Sequence, residues 1–173
     1  MSLPKPMRHS PTQAPSCTRI LTLGDFPLRT LEKLRFADTD CNGHVTNSVF
    51  AVLCQNARME VLCDPMRVPL PPTVQFAIVR FLLEFRAELH WPGNITVGTR
   101  LEQVGRSSVT LMQGLFADER CVAIANSVVA LMDKTTRRSV TMPDTIAHAL
   151  SMAFSSSSPP EMAHMNRRHR TSE

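Results

Sequence analysis

The run Asp38-Thr39-Asp40-Cys41-Asn42-Gly43-His44-Val45-Thr46-Asn47 concentrates most of the chemistry this chain offers. Two carboxylates, a glycine turn and a histidine stand directly before an apolar stretch that ends Asn56-Ala57-Arg58 and reads as a helix. Asn47 or Ser48 is available to cap its start. A helix start presents backbone N–H groups that have no intrahelical acceptor. An acid/base group beside such donors can act on an electrophilic carbonyl while the N–H groups take the charge that develops on its oxygen. The run is laid out for acyl chemistry.

Within it, Asp40 at an ordinary carboxylate pKa is ionised, and either attacks directly or activates water; the residue types do not choose between these. Asp, Asn and Gly are also what any loop and cap require, so Asp38 and Asp40 have a second reading as acceptors of backbone N–H groups. His44 orients the loop or moves a proton. Gly43 suits a turn with positive φ or close approach of a substrate. Cys41 would be a nucleophile only with a base, and none is evident.

Elements must hold this loop in place. Leu34 and Phe36 alternate with Lys33 and Arg35, which predicts a short strand leading into it. Val49, Phe50, Leu53, Ala57 and Val61 recur at helical spacing and predict a helix buried against a sheet. After a proline-rich break at 65–72 the pattern changes to period two over about 75–89, 94–104, 107–117 and 120–133. One helix followed by four successive strands predicts an antiparallel sheet with the helix across one face. Pro143-Asp144 opens a short final helix through about Met152.

Composition sets the frame. With 173 residues, 43% hydrophobic and 20% charged, the chain suits one domain with tails. Pro, Ser and Thr enrichment marks 1–27 as a disordered leader and 151–173 as a disordered tail, leaving 28–150 as the folded domain. The net charge of +4 divides into +3 over residues 1–30, 0 over 31–145 and +1 over 146–173, so no basic face is expected on the domain and no nucleic-acid partner. Five cysteines without Cys-x-x-Cys pairing read as free thiols in a reducing compartment, with Cys54 and Cys121 in the core. No His/Cys/acid set has metal-like spacing, and no metal is expected. No apolar run reaches the roughly 20 residues of a membrane span, and a cytoplasmic location is the expectation.

Arg35-Phe36-Ala37-Asp38-Thr39-Asp40 through Gly43-His44-Val45-Thr46-Asn47, with Asn56-Ala57-Arg58 on the helix, resembles the opening of the hotdog-fold acyl-CoA thioesterases of the 4-hydroxybenzoyl-CoA thioesterase type. Gly105-Arg106-Ser107-Ser108, the strand Val122–Met132 and Pro143-Asp144 resemble that family's sequel, so the likeness covers about residues 28–146. It implies an α+β hotdog fold, with an antiparallel β-sheet wrapped around a long central α-helix. It implies a homodimer or homotetramer with sites at the subunit interface, and hydrolysis of acyl-CoA without a cofactor beyond the coenzyme A of the substrate. By the same resemblance Asp40 is the catalytic carboxylate and the N–H near Asn47 polarises the thioester carbonyl; Gly43 and His44, read from the loop itself, are the further catalytic candidates. Asn42, Val45 and Phe50 would line the substrate site, and Arg106, Ser107 and Ser108 would meet the coenzyme A phosphates.

This chain departs from the family in having Thr46 where an Asn is usual and Gln55-Asn56 where acids are usual, which disfavours a helix carboxylate as base. Two other readings compete. A hotdog protein that binds an acyl thioester without turning it over is motivated by Thr46, Gln55 and Asn56. An enoyl-CoA hydratase or dehydratase is suggested by His90-Trp91-Pro92-Gly93 and by the Asp40/His44 pair, though companion residues of those enzymes are lacking. Arg58 is expected in a structural ion pair.

Overall fold

The computed structural model describes residues 20–155. Strands β1 (Leu28–Lys33), β2 (Val74–Phe85), β3 (Asn94–Val104), β4 (Ser108–Ala117) and β5 (Arg120–Asp133) form one antiparallel sheet in the order β1-β3-β4-β5-β2. Helix α1 (Asn47–Leu62) crosses the inner face, and α2 (Asp144–Ala153) packs with its C-terminal end. This is the expected hotdog architecture.

The inner face follows from period two in the strands and the helical spacing in α1. Phe50, Leu53, Cys54 and Ala57 bury against Ile95, Val97, Leu115, Ala123 and Ala125. Further along, Val61 and Leu62 join Val109, Leu111, Val129 and Leu131, with Ile146 and Leu150 of α2 closing the cluster. Each fully buried large apolar side chain is worth about 1.5–3 kcal/mol. Between the two clusters lies a polar node. Fully buried Gln113 donates from Nε2 to the Cys54 carbonyl at 2.9 Å and to Thr99 Oγ1 at 3.1 Å, and its Oε1 accepts from Arg58 at 3.0 Å. Arg58 is thus held by an amide, with Phe81 5.2 Å beneath its guanidinium, in place of the expected ion pair.

The outer face is covered from the N-terminal side. Gly98 and Gly114 are cross-strand partners on β3 and β4. Phe26 lies over both, so close that a Cβ on Gly98 would fall 2.6 Å from its ring and one on Gly114 2.8 Å from it. Phe26 also meets Phe116 edge-on at 5.7 Å and is buried with Leu21, Phe116 and Ile124. The folded region therefore exceeds both expected bounds: it takes in Leu21 to Pro27 before residue 28, and α2 with buried Phe154 after residue 150. The expectations for a leader over 1–19 and a tail over 156–173 lie outside the described residues.

Two local expectations are corrected. The strand entering the loop is 28–33 and not 33–36: Leu34 is buried, but its N–H bonds to Gly93 O, and Phe36 sits in a 3-10 turn (Phe36–Asp38), 74% exposed. Strand β2 ends at Phe85, four residues before the expected bound, because the N–H groups of Arg86 and Ala87 both turn to the Val122 carbonyl. Residues 86–89 are thereby freed to build part of the site.

Strand β2 is a sheet edge, and Ile78, Val79, Leu82 and Phe85 along it are exposed. Among the described residues no helix is long and apolar enough to cross a membrane.

Phe26→Ala is expected to cost about 3–5 kcal/mol by deleting the outer-face plug. Gly98→Ala should cost about 1–3 kcal/mol by overpacking against the same ring. Chemical denaturation checks both, and a Gly98→Ala protein as stable as wild type would contradict the packing described.

Candidate active site

The loop from Asp38 to Thr46 is laced to itself and to the segment after β2. Asp40 N–H bonds to His44 O at 2.8 Å, Gly43 N–H to Asp40 O at 3.1 Å and Thr46 N–H to Asp38 O at 2.9 Å. Val45 N–H bonds to Leu89 O at 2.7 Å, which ties the loop to the far segment. Gly43 has φ +79°, the positive value its turn requires.

The two carboxylates divide the work. Asp38 is 4% exposed and accepts the Arg35 backbone N–H at 2.7 Å and its guanidinium at 2.6 Å. Chiefly the Arg35 side-chain hydrogen bond holds its carboxyl below the usual value. Asp38 anchors the loop. Asp40 is exposed, and its Oδ1 accepts N–H groups from Asn42 at 2.8 Å and His44 at 3.0 Å. Those two bonds, first that from Asn42, lower its pKa below the usual carboxylate value, so the carboxylate stays ionised to more acid pH.

Helix α1 begins at Asn47 with Thr46, not Asn47 or Ser48, in the cap position, and the Thr46 side chain makes no capping bond. The Val49 N–H reaches Thr46 O at 2.9 Å, while the N–H groups of Asn47 and Ser48 have no acceptor among the described residues. The helix start thus keeps donors for an incoming oxygen.

A cavity of about 450 Å³ brings these parts together. Asp40, His44, Thr46, Asn47 and Glu88 supply its polar wall; Val45, Phe50, Phe85, Ala87 and Leu89 supply the apolar one. Phe50 and Phe85 meet edge-on at 5.1 Å. Of the residues singled out from sequence, Asp40, His44, Val45, Asn47 and Phe50 line the cavity. Gly43 and Asn42 shape the loop through their backbone, Asn42 by its N–H to Asp40. Arg106, Ser107 and Ser108 are not brought there. They lie in and beside the β3–β4 turn, whereas the loop side of the sheet is at the other end of β3, an 11-residue strand spanning roughly 35 Å.

Phe85, Ala87, Glu88 and Leu89 were not anticipated in the site. The bond from Val45 to Leu89 and the bridge between His44 and His90 make that wall, and both join residues more than 40 positions apart. The only sequence signal is that the period-two run ends near His90-Trp91-Pro92-Gly93.

The chain belongs to the thioesterase-like superfamily, whose sequence profile matches residues 34–150. Among solved structures it is similar to the PA5185 protein of Pseudomonas aeruginosa strain PAO1, with 23% identity over 76% of this chain and 94% of that one and a TM-score of 0.69. It is similar to a thioesterase of Thermus thermophilus solved in complex with coenzyme A and Zn, with 24% identity over 75% and 96% and a TM-score of 0.66. It is also similar to the hypothetical protein TT1821, again of Thermus thermophilus, with 27% identity over 72% and 98% and a TM-score of 0.63. A search of curated proteins gave no match. Fold and family together define a hotdog protein of thioesterase type.

Asp38 has a stability consequence with a definite sign. Its folded pKa lies below 3.8, so its contribution is complete above about pH 3.8 and is lost as pH falls through the lower folded value. Asp38→Asn should lower the melting temperature at pH 7 and flatten the fall in stability below pH 4. Thermal unfolding between pH 2 and 7 measures this; an unchanged acid slope would contradict the anchoring role.

Proposed function

We propose that the protein hydrolyses acyl-CoA thioesters to the free acid and coenzyme A. The observation that carries this reading is that an ionised Asp40 and Asn47, whose N–H at the start of α1 is unbonded, line one cavity. The carbonyl oxygen takes the N–H groups of Asn47 and Ser48, which stabilise the negative charge as the carbon becomes tetrahedral. Asp40 acts in one of two ways. As nucleophile its oxygen adds to the carbonyl carbon, the C–S bond breaks, coenzyme A leaves as thiolate, and water then cleaves the mixed anhydride. As general base it takes a proton from the water that attacks. His44 adjoins Asp40 and orients the loop, and Phe50 and Phe85 form the apolar surface against which the acyl group lies. The superfamily and the coenzyme A bound by the Thermus thermophilus thioesterase support the choice of thioester.

Asp40→Asn keeps an oxygen for the Asn42 and His44 N–H groups but removes the charge. It should leave the circular dichroism spectrum unchanged and lower kcat by on the order of 10²–10⁴. Thiol release from short, medium, long and aromatic acyl-CoAs reads the effect; equal turnover in the variant would sink the role given to Asp40.

The exposed apolar edge of β2 supports a dimer, since an unpaired edge is a liability that a second copy can cover. In such a pair Arg106, Ser107 and Ser108 serve the partner's cavity and bind coenzyme A phosphates. Light scattering should therefore give at least a dimer, and Arg106→Ala should raise KM with kcat nearly unchanged. A fully active monomer at micromolar concentration would contradict the shared site.

A further inference from the structure

We infer that His44, Glu88 and His90 form a binding site for a borderline divalent cation, zinc foremost, at the rim of the cavity. This goes beyond the hydrolase reading and does not depend on it. Nε2 of His44 lies 3.7 Å and Nε2 of His90 3.9 Å from the same oxygen, Oε2 of Glu88. One potential ligand atom from each of the three residues lies within 4.8 Å of the other two. A tetrahedral zinc with bonds of about 2.0–2.1 Å sets its donors roughly 3.4 Å apart, so closing the site takes shifts of about half an ångström in His44 and Glu88 and somewhat more between the imidazoles. The Glu88 side chain is 73% exposed and free to make that adjustment.

The imidazoles are held for the purpose. Gly43 O is only an acceptor, so His90 Nδ1 is the donor in their 3.3 Å contact, and Nε2 is the ring nitrogen left facing Glu88. A backbone carbonyl fixing the remote ring nitrogen is how ligating histidines are usually oriented. On the other side, His44 is fixed through its backbone, by its N–H to Asp40 Oδ1 at 3.0 Å and its bridge to His90. The two rings stand edge-on with centroids 4.7 Å apart. Two neutral imidazoles and a carboxylate suit zinc, cobalt, nickel or copper better than magnesium or calcium. Three protein ligands leave a coordination position open, and His44 and Glu88 both line the cavity it would face. Sequence spacing hides the site, because His44 comes from the catalytic loop while Glu88 and His90 follow β2.

The test uses the full chain, stripped with chelator, and zinc alone as probe. Equilibrium dialysis with metal analysis should find one zinc per chain bound at micromolar concentration, and cobalt should give the visible absorption of a low-symmetry site. Glu88→Gln and His90→Gln should each weaken zinc binding about tenfold or more with folding unchanged. Cys41→Ser should leave it intact. Overturning results would be no binding up to millimolar zinc, the same affinity in both ligand variants, or loss of binding in Cys41→Ser.

Discussion

The rest of the structure depends on one buried amide. Gln113 has no exposed surface, and an unsatisfied amide inside the sheet–helix interface would cost several kcal/mol. It is satisfied by gripping α1 at mid-length, through the Cys54 carbonyl and the Arg58 guanidinium, while Thr99 on β3 takes its remaining N–H. Apolar packing alone is tolerant of small slides and rotations; three directional bonds to one residue are not. Burial pushes the Arg58 pKa down, so that charge tolerates no loss of its acceptor. The position of α1 on the sheet, and hence the place of its N-terminus, follows from this node.

From that fixed helix start the loop is built outward. Thr46 leads back to Asp38 through a backbone bond, and Asp38 is locked by Arg35. The buried carboxylate holds the loop so that the exposed one, two residues on, lines the cavity. Asp40 in turn uses Oδ1 to hold the N–H groups of Asn42 and His44. The same bonds that order the loop lower the pKa of the carboxylate, so the fold of the loop and the charge it carries are linked at this residue.

Much of this was legible in the sequence where order is local. The spacing of Phe50, Leu53, Ala57 and Val61 gave α1, and period two gave β3, β4 and β5 nearly to the residue. The loop was readable because carboxylates, glycine and histidine stand next to a helix. What was not readable depends on pairing. Phe26 lies in a composition that reads as a leader, and its burial requires Gly98 and Gly114 to be cross-strand partners, a fact of register. Strand β1 was misplaced because Leu34 is buried in the apolar cluster beneath α1 although it lies just past the end of the strand. Glu88 and Leu89 reach the cavity through the Val45–Leu89 bond and the His44–His90 bridge, which tie their segment to a distant loop. Arg106, Ser107 and Ser108 were grouped with Asp40 by resemblance, but one chain holds them at the other end of the sheet.

The measurement that tests the central claim most directly is a crystal structure with an unreactive acyl-CoA analogue in which a methylene group replaces the thioester sulfur. The ketone oxygen should lie within hydrogen-bond distance, about 3 Å, of the Asn47 or Ser48 N–H, with an Asp40 oxygen or a water bound to it facing the carbonyl carbon. An analogue seated with its carbonyl away from the start of α1, or with Asp40 remote from it, would contradict that claim.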